Sequence, residues 1–93
     1  MPKTPALLAV ARRVVWFKEP ADALADPLHF LAHAMTYGTV EDLRALENVV
    51  GPKEFLETLD GAPPGVFDKR SWAYWNLKFG RIPTPEMPVR QMR

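Results

Sequence analysis

DKRSWAYWNLKFG, residues 68–80, is the stretch that decides the fold of this chain. It contains two of the three tryptophans and is bounded by residues that mark the two ends of a helix. Aspartate is a preferred N-cap residue, as at Asp68, and glycine commonly follows a helix C-terminus, as at Gly80. The stretch therefore predicts a helix with both ends defined.

The two faces of this predicted helix differ in character. At 100° per residue, one face consists of Trp72, Trp75, Asn76 and Phe79. We expect this face to anchor the core, because tryptophan and phenylalanine are the largest apolar side chains available for burial. The opposite face consists of Arg70, Tyr74 and Lys78. A tyrosine between two cations is either a solvated stripe or a contact surface, and the sequence leaves both interpretations open.

Proline and glycine divide the rest of the chain into segments of helical length, and no stretch alternates apolar and polar residues. We therefore predict an all-α fold, a compact single-domain bundle of about five short helices with an extended proline-rich C-terminal tail. Residues 1–80 form the predicted helical domain. Residues 81–93, with prolines at 83, 85 and 88, form a predicted extended C-terminal arm.

Four further helices are predicted from their starts, at Thr4-Pro5, Asp26-Pro27, Thr39 and Pro52. Residues 20–24 are predicted as a short helix or a turn. Gly38 and Gly51 are predicted to end the second and third of these helices. The predicted inward side chains, in chain order, are Leu7, Val10, Ala11, Val14, Phe17, Leu28, Leu31, Ala32, Met35, Leu43, Leu46, Val50, Phe55, Leu56 and Leu59.

Composition restricts the class of protein. The chain has no cysteine, which excludes disulfides and cysteine-ligated zinc and suits a reducing compartment, so we expect a cytoplasmic protein. The apolar run at residues 6–11 is too short to span a bilayer, so we expect no membrane association. No residue constellation indicates an enzyme, and we expect no catalytic residue and no cofactor.

The net charge of +1 conceals a segregation of charge along the chain. Residues 1–18 carry a net charge of +4, residues 19–60 a net charge of −7, and residues 61–93 a net charge of +4. Either each block decorates its own solvated helices, or the acidic block faces a basic partner. Under the second interpretation, the contact residues are four glutamates that we predict to be exposed, namely Glu41, Glu47, Glu54 and Glu57.

Two constellations could be taken for sites of other kinds. His29 and His33 have the spacing that lets two imidazoles share a metal on a helix, but the sequence places no third ligand. We expect two partly exposed histidines and no metal. Residues 28–50 could form a helix-turn-helix, yet the second helix would bring Glu41 and Asp42 towards phosphates. The sequence therefore does not favour nucleic acid as a partner of this helix pair.

The arm has more apolar residues than a purely solubilising segment needs, among them Ile82 and Met87. Its prolines keep it extended, which reduces the entropy lost on docking. We predict that it contributes little to the core and lies along a partner protein or a second copy of the chain, which would make a homodimer. A plain disordered terminus is the other interpretation. Ile82 and Met87 are thus predicted contact residues, together with Arg70, Tyr74 and Lys78.

The runs DPLHFLAHAMTYGTVEDLRAL, residues 26–46, and APPGVFDKRSWAYWNLKFG, residues 62–80, carry a family resemblance. The chain resembles a family of small bacterial helical proteins commonly encoded beside AbiEii-type nucleotidyltransferase toxins. The resemblance implies an antitoxin-like or accessory partner in a toxin-antitoxin system of the abortive-infection type. It implies that the chain binds and restrains such a toxin, and it transfers no catalytic or binding residue.

A second function, from a different class, is a small nucleic-acid-binding regulator. It would use cations near the two ends of the chain, where the charge is positive. These cations are Arg12, Arg13, Arg70, Lys78 and Arg81. The sequence alone does not decide between the two functions, although we expect the protein partner.

Overall fold

A computed structural model describes residues 1–88 of the chain. In these residues six α-helices and no strand are found. They are α1 (Pro5–Val14), α2 (Pro20–Leu24), α3 (Pro27–Tyr37), α4 (Val40–Glu47), α5 (Pro52–Asp60) and α6 (Lys69–Lys78). The all-α prediction is confirmed, and the helix beyond the predicted five is the short α2.

Polar N-caps start four of the helices where the sequence predicted them. The capping side chains are Thr4, Asp26, Thr39 and Asp68. The shortest of the capping bonds joins the Ser71 N–H to Asp68 Oδ1 at 2.7 Å, and this bond lowers the pKa of Asp68. Each cap satisfies a backbone N–H that has no partner inside the helix, so short helices begin at defined residues.

Helix α3 is the centre of the molecule, because it packs against each of the other five helices. The six consecutive residues from Phe30 to Met35 are all buried. The middle of α3 is thus buried on all sides, and the predicted single inward face was wrong in two respects. Leu28 is exposed although it was predicted to face inward, and Phe30 is fully buried although it was not.

Helix α1 buries the predicted stripe of Leu7, Val10, Ala11 and Val14. Phe17 was predicted to continue this stripe, and that prediction was wrong because the Phe17 side chain is 54% exposed. The helix ends at Val14, so the helical period no longer determines where Phe17 points. Val15, the C-cap residue, is still fully buried, whereas Trp16 and Phe17 face solvent.

Helices α4 and α5 bury narrower faces than predicted. Leu46, Phe55 and Leu59 are buried as expected. The outer members of the predicted faces, Leu43, Val50 and Leu56, are only half-buried. Helix α4 also ends at Glu47, before the predicted stop at Gly51, so Val50 lies in the loop.

Helix α6 anchors the core through the predicted face. Trp72, Trp75 and Asn76 are buried, and Phe79 is half-buried. The Trp75 indole N–H donates to the carbonyl oxygen of Met35 on α3 at 2.7 Å, and its ring stacks on Phe55 at a centroid distance of 5.6 Å. Gly80 follows the helix with a φ of +75°, which favours glycine. The predicted limits of this helix, Asp68 and Gly80, are thereby confirmed.

The corner between α3 and α4 is closed by Gly38, which ends α3 as predicted. Its φ of −71° and ψ of 152° are accessible to any residue. A Cβ at this position would approach the Ala34 carbonyl oxygen to 2.5 Å, so a side chain has no room. Glycine is required here for space, and the tight corner holds α4 against α3.

The described part of the arm, residues 81–88, contacts the helical body. The Trp72 indole N–H donates to the carbonyl oxygen of Pro85 at 2.8 Å. Arg81 pairs with Asp60 at 2.7 Å, and Met87 packs, half-buried, against the core. These contacts differ from the prediction that the arm contributes little to the core. The domain boundary at residue 80 stays a prediction, and residues 89–93 of the predicted arm lie outside the described residues.

Candidate partner-binding site

The outward face of α6 presents an aromatic and a cationic group side by side. Tyr74 and Lys78 are exposed one turn apart. The Lys78 ammonium lies 5.9 Å from the centroid of the Tyr74 ring and 5.1 Å from that of Trp75, a distance typical of cation–π contacts. Because the inner face of the helix is fixed in the core, these outer groups are held in a defined position.

A first hollow of about 300 Å³ opens beside this face. Its lining residues are Glu47, Val50, Gly51, Pro52, Phe55, Trp75, Lys78 and Phe79. The buried rings of Phe55 and Trp75 belong to its wall, whereas Glu47 and Lys78 are exposed. The hollow therefore combines an apolar interior with one charge of each sign at its border.

A second hollow of about 300 Å³ adjoins the first, since Trp75 lines both. Its lining residues are Met35, Gly38, Val40, Leu43, Arg70, Ser71, Tyr74 and Trp75. The tight corner at Gly38 brings the start of α4 next to α6 here. Together, the two hollows make a surface that we call the α6 groove, defined by these two sets of lining residues.

The α6 groove brings together four of the nine predicted contact residues. These are Glu47, Arg70, Tyr74 and Lys78. Glu41, Glu57 and Ile82 are exposed but line neither hollow. Met87 lies against the core, and its role as a contact residue stays a prediction.

Glu54 was predicted to be exposed, and it is half-buried instead. Its carboxylate accepts the Gly51 N–H at 2.8 Å. This bond from the N–H of the N-cap residue to the glutamate at the third helical position is one half of a capping box; glycine at the N-cap has no side chain to form the other half. On the same helix, Glu57 Oε1 lies 3.8 Å from Lys53 Nζ. The acidic residues of α5 are thus partly engaged within the chain.

Asp42 is a carboxylate that serves the fold. It is 1% exposed, accepts the Thr39 N–H, and is ion-paired with Arg13 of α1. Burial raises the pKa of Asp42, but the hydrogen bonds from Arg13 and Thr39 outweigh it, so the pKa lies below its ordinary value. The same bond raises the pKa of Arg13. Of the cations predicted to contact nucleic acid, Arg13 and Arg81 are therefore paired with carboxylates.

A second surface was not anticipated from the sequence. It is a row of aromatic rings that we call the aromatic patch, defined as Trp16, Phe17, His29, His33 and Tyr37. The signal that could have revealed it is the position of Trp16 and Phe17 between the cationic end of α1 and Pro20, where no helix continues.

The two histidines of the patch differ from each other in exposure. They were predicted to be partly exposed, which holds for His29 but was wrong for His33. His33 is buried under Phe17, and its Nδ1 lies 3.0 Å from the His29 carbonyl oxygen. The pKa of His29 is lowered by burial and by the neighbouring His33 and Lys18. One imidazole is therefore held inside while the other borders the surface.

Residues 1–88 contain neither a metal-binding cluster nor a membrane-spanning helix. Within this range no three or more histidine, cysteine, aspartate or glutamate side chains are grouped so as to hold a metal ion. None of the helices in the same range is both long and apolar enough to cross a membrane.

Comparisons with protein-family models, with curated proteins and with solved structures found no match to this chain. The family resemblance described above therefore rests on the two sequence runs that carry it, and its implications stay predictions.

Proposed function

We propose that the chain is an antitoxin-like interaction protein that binds and restrains a nucleotidyltransferase-type toxin through the α6 groove. The observation that carries the proposal is the pair of adjoining hollows with Tyr74, Trp75, Arg70 and Lys78 on them. Tyrosine, tryptophan and arginine are the residue types that dominate binding energy at protein interfaces.

The α6 groove supports docking of a partner because it is apolar inside and already rigid. An apolar side chain of the partner that fills one hollow would gain about 1.5–3 kcal/mol from its burial. Trp75 is fixed by its hydrogen bond to Met35, so little side-chain entropy is lost when the partner binds. The groove is therefore preorganised for an anchor residue.

In this proposal, charged side chains around the α6 groove determine how the toxin is oriented on the chain. Arg70 and Lys78 on α6 would pair with acidic groups of the toxin, and Glu47 with a basic one. Glu41 and Glu57 are exposed on the neighbouring helices and add to the negative charge of residues 19–60. A toxin that handles nucleic acid is expected to have a basic surface, which this charge would steer towards the chain.

The identity of the toxin rests on the family resemblance, and co-purification tests it. The chain would be co-expressed with the product of a neighbouring nucleotidyltransferase gene, and both complex formation and nucleotidyl transfer would be measured. We expect a stable complex in which transfer is reduced. Absence of a complex with this toxin would contradict the proposed partner.

A variant pair tests the proposed surface. Tyr74→Ala combined with Lys78→Glu should weaken the complex by roughly tenfold or more, since it removes a hot-spot side chain and reverses a charge. The matched control is Lys53→Glu, which reverses an exposed charge on α5 outside the hollows. If the control weakens binding as much as the groove variant, the complex forms through another face.

A further inference from the structure

The aromatic patch exposes rings that a small helical protein ordinarily buries. The side chain of Trp16 is 65% exposed, that of Phe17 54%, and that of Tyr37 53%. Trp16 and Phe17 follow α1, and Tyr37 is the last residue of α3, so the three rings come from two different elements. A cluster of exposed aromatic side chains of this kind indicates a binding surface.

The rings of the patch are ordered against one another. Trp16 meets Phe17 at a centroid distance of 5.5 Å with an interplanar angle of 89°, and meets Tyr37 at 5.9 Å with an angle of 81°. An edge-to-face contact uses the face of only one of its two rings. Since the residues Trp16, Phe17 and Tyr37 are each more than half exposed, ring surface remains accessible to a flat ligand.

Cations lie on both sides of Trp16 and Phe17 in the chain. Arg12 is exposed in the last turn of α1, and Lys18 follows Phe17 and is near enough to His29 to lower its pKa. Neither cation is ion-paired with a described residue. Asp26 caps α3 and keeps its negative charge, and Glu19, which follows Lys18, is exposed. Residues 1–18, which include both cations, carry a net charge of +4.

We propose that the aromatic patch binds single-stranded nucleic acid. Bases stack on Trp16, Phe17 and Tyr37, while Arg12 and Lys18 contact phosphates. Proteins that bind single strands without sequence preference combine these two features, aromatic platforms and cations along the backbone path. Stacking on a single strand does not require the acidic start of α4 to enter a duplex groove.

The proposal is tested by fluorescence anisotropy of labelled deoxythymidine and deoxyadenosine single strands of about 12 nucleotides, titrated with the whole chain at low salt. We expect saturable binding to both strands and much weaker binding to the corresponding duplex. Trp16→Ala should weaken the affinity between about fivefold and about a hundredfold, the range observed for loss of one stacked base. The matched control is Leu77→Ala, an equally exposed apolar residue on α6 (61%), which should leave the affinity unchanged.

A second measurement separates stacking from charge. Arg12→Ala with Lys18→Ala should reduce the slope of log affinity against log salt by about 0.7 for each phosphate that is no longer neutralised, whereas Lys53→Ala should not change it. No saturable binding at low salt, or an equal loss in Leu77→Ala, overturns the proposal. It is also overturned if Trp16→Ala abolishes self-association or binding to anionic lipid vesicles while the single strands never bind. The toxin would bind the α6 groove, which is a different face. Neither the presence nor the absence of single-strand binding therefore affects the function proposed above.

Discussion

The inner face of α6 and the aromatic patch both contain tryptophan and phenylalanine, but the tryptophans of the first are buried and those residues of the second are exposed. Trp72 and Trp75 lie inside a capped helix, at a spacing that turns both towards the core. Trp16 and Phe17 lie beyond the end of α1, and both face solvent. For these four residues, a position on the inner face of a capped helix goes with burial, and a position beyond a helix end goes with exposure.

The largest expected effect is on the buried side of this comparison. Trp75→Ala removes a stacked indole and leaves the carbonyl of Met35 without its donor, so the free energy of unfolding should fall by about 3–5 kcal/mol. Chemical denaturation monitored by circular dichroism measures it. This loss is a large fraction of the roughly 5–15 kcal/mol by which native proteins are usually stable. A melting temperature within a few degrees of wild type would show that the helical phase assigned to α6 is wrong.

The second-largest effect on stability concerns the ion pair between Arg13 and Asp42, which joins the C-terminal end of α1 to α4. Asp42→Ala removes both the capping box of α4 and the partner of Arg13, and should cost about 1–3 kcal/mol. Since Arg13 lies three residues before Trp16, nuclear magnetic resonance should show shifts in the patch and at the start of α4, and smaller ones at the C-terminal end of α6. Equal shifts in the patch and at the C-terminal end of α6 would contradict the separation between them.

The same carboxylate sets a dependence of stability on pH. The folded-state pKa of Asp42 is depressed below the ordinary value of 3.8, so its contribution is present above that value and is lost as the pH falls through the folded-state pKa. Melting temperatures measured from neutral pH downwards should decline below about 4 in wild type, and less steeply in Asp42→Asn. Parallel curves for the two proteins would show that other groups dominate acid unfolding.

A smaller effect is expected where the arm meets α6. Trp72→Phe keeps an aromatic ring under the arm but removes the donor to Pro85, which should cost about 0.5–1.5 kcal/mol.

Removing residues 82–93 should lower the melting temperature by several degrees, because Met87 no longer packs against the core. Unchanged melting after truncation would favour the original prediction of an arm that contributes little to the core.

The smallest effect is expected on the exposed side of the comparison. Trp16→Ala and Phe17→Ala should each change the free energy of unfolding by less than about 0.5 kcal/mol, as is usual for exposed positions. The measurement is the same denaturation curve used for Trp75→Ala. A loss approaching that of Trp75→Ala would mean that the patch belongs to the core and would remove the contrast.

The parts of the fold that the sequence predicted are those set by local interactions. The caps at Thr4, Asp26, Thr39 and Asp68 depend on residues three or fewer positions away, and all four are confirmed. The buried face of α6 follows from its helical period. The all-round burial of α3 could not be predicted in this way, because it depends on helices that come from both directions along the chain.

The candidate site shows the same limit. Arg70, Tyr74 and Lys78 were predicted to share a face, since a single helix fixes their relation. The hollows beside them were not predicted, because their other walls come from α3, α4 and α5. Glu54 was assigned to the exposed face from its helical position alone, although its carboxylate caps the Gly51 N–H. The contact of Pro85 with Trp72 joins residues that sequence spacing does not relate.

The hydrogen bond between Trp72 and Pro85 allows docking of the arm to be followed by tryptophan fluorescence during folding. The three tryptophans occupy three surroundings, with Trp16 in solvent, Trp75 in the core and Trp72 beneath the arm. Indole emission depends on the polarity around the ring, so each position acts as an optical reporter of a different event. In a chain that keeps only Trp72, with phenylalanine at the other two positions, stopped-flow fluorescence would time the arrival of the arm separately from collapse of the helices.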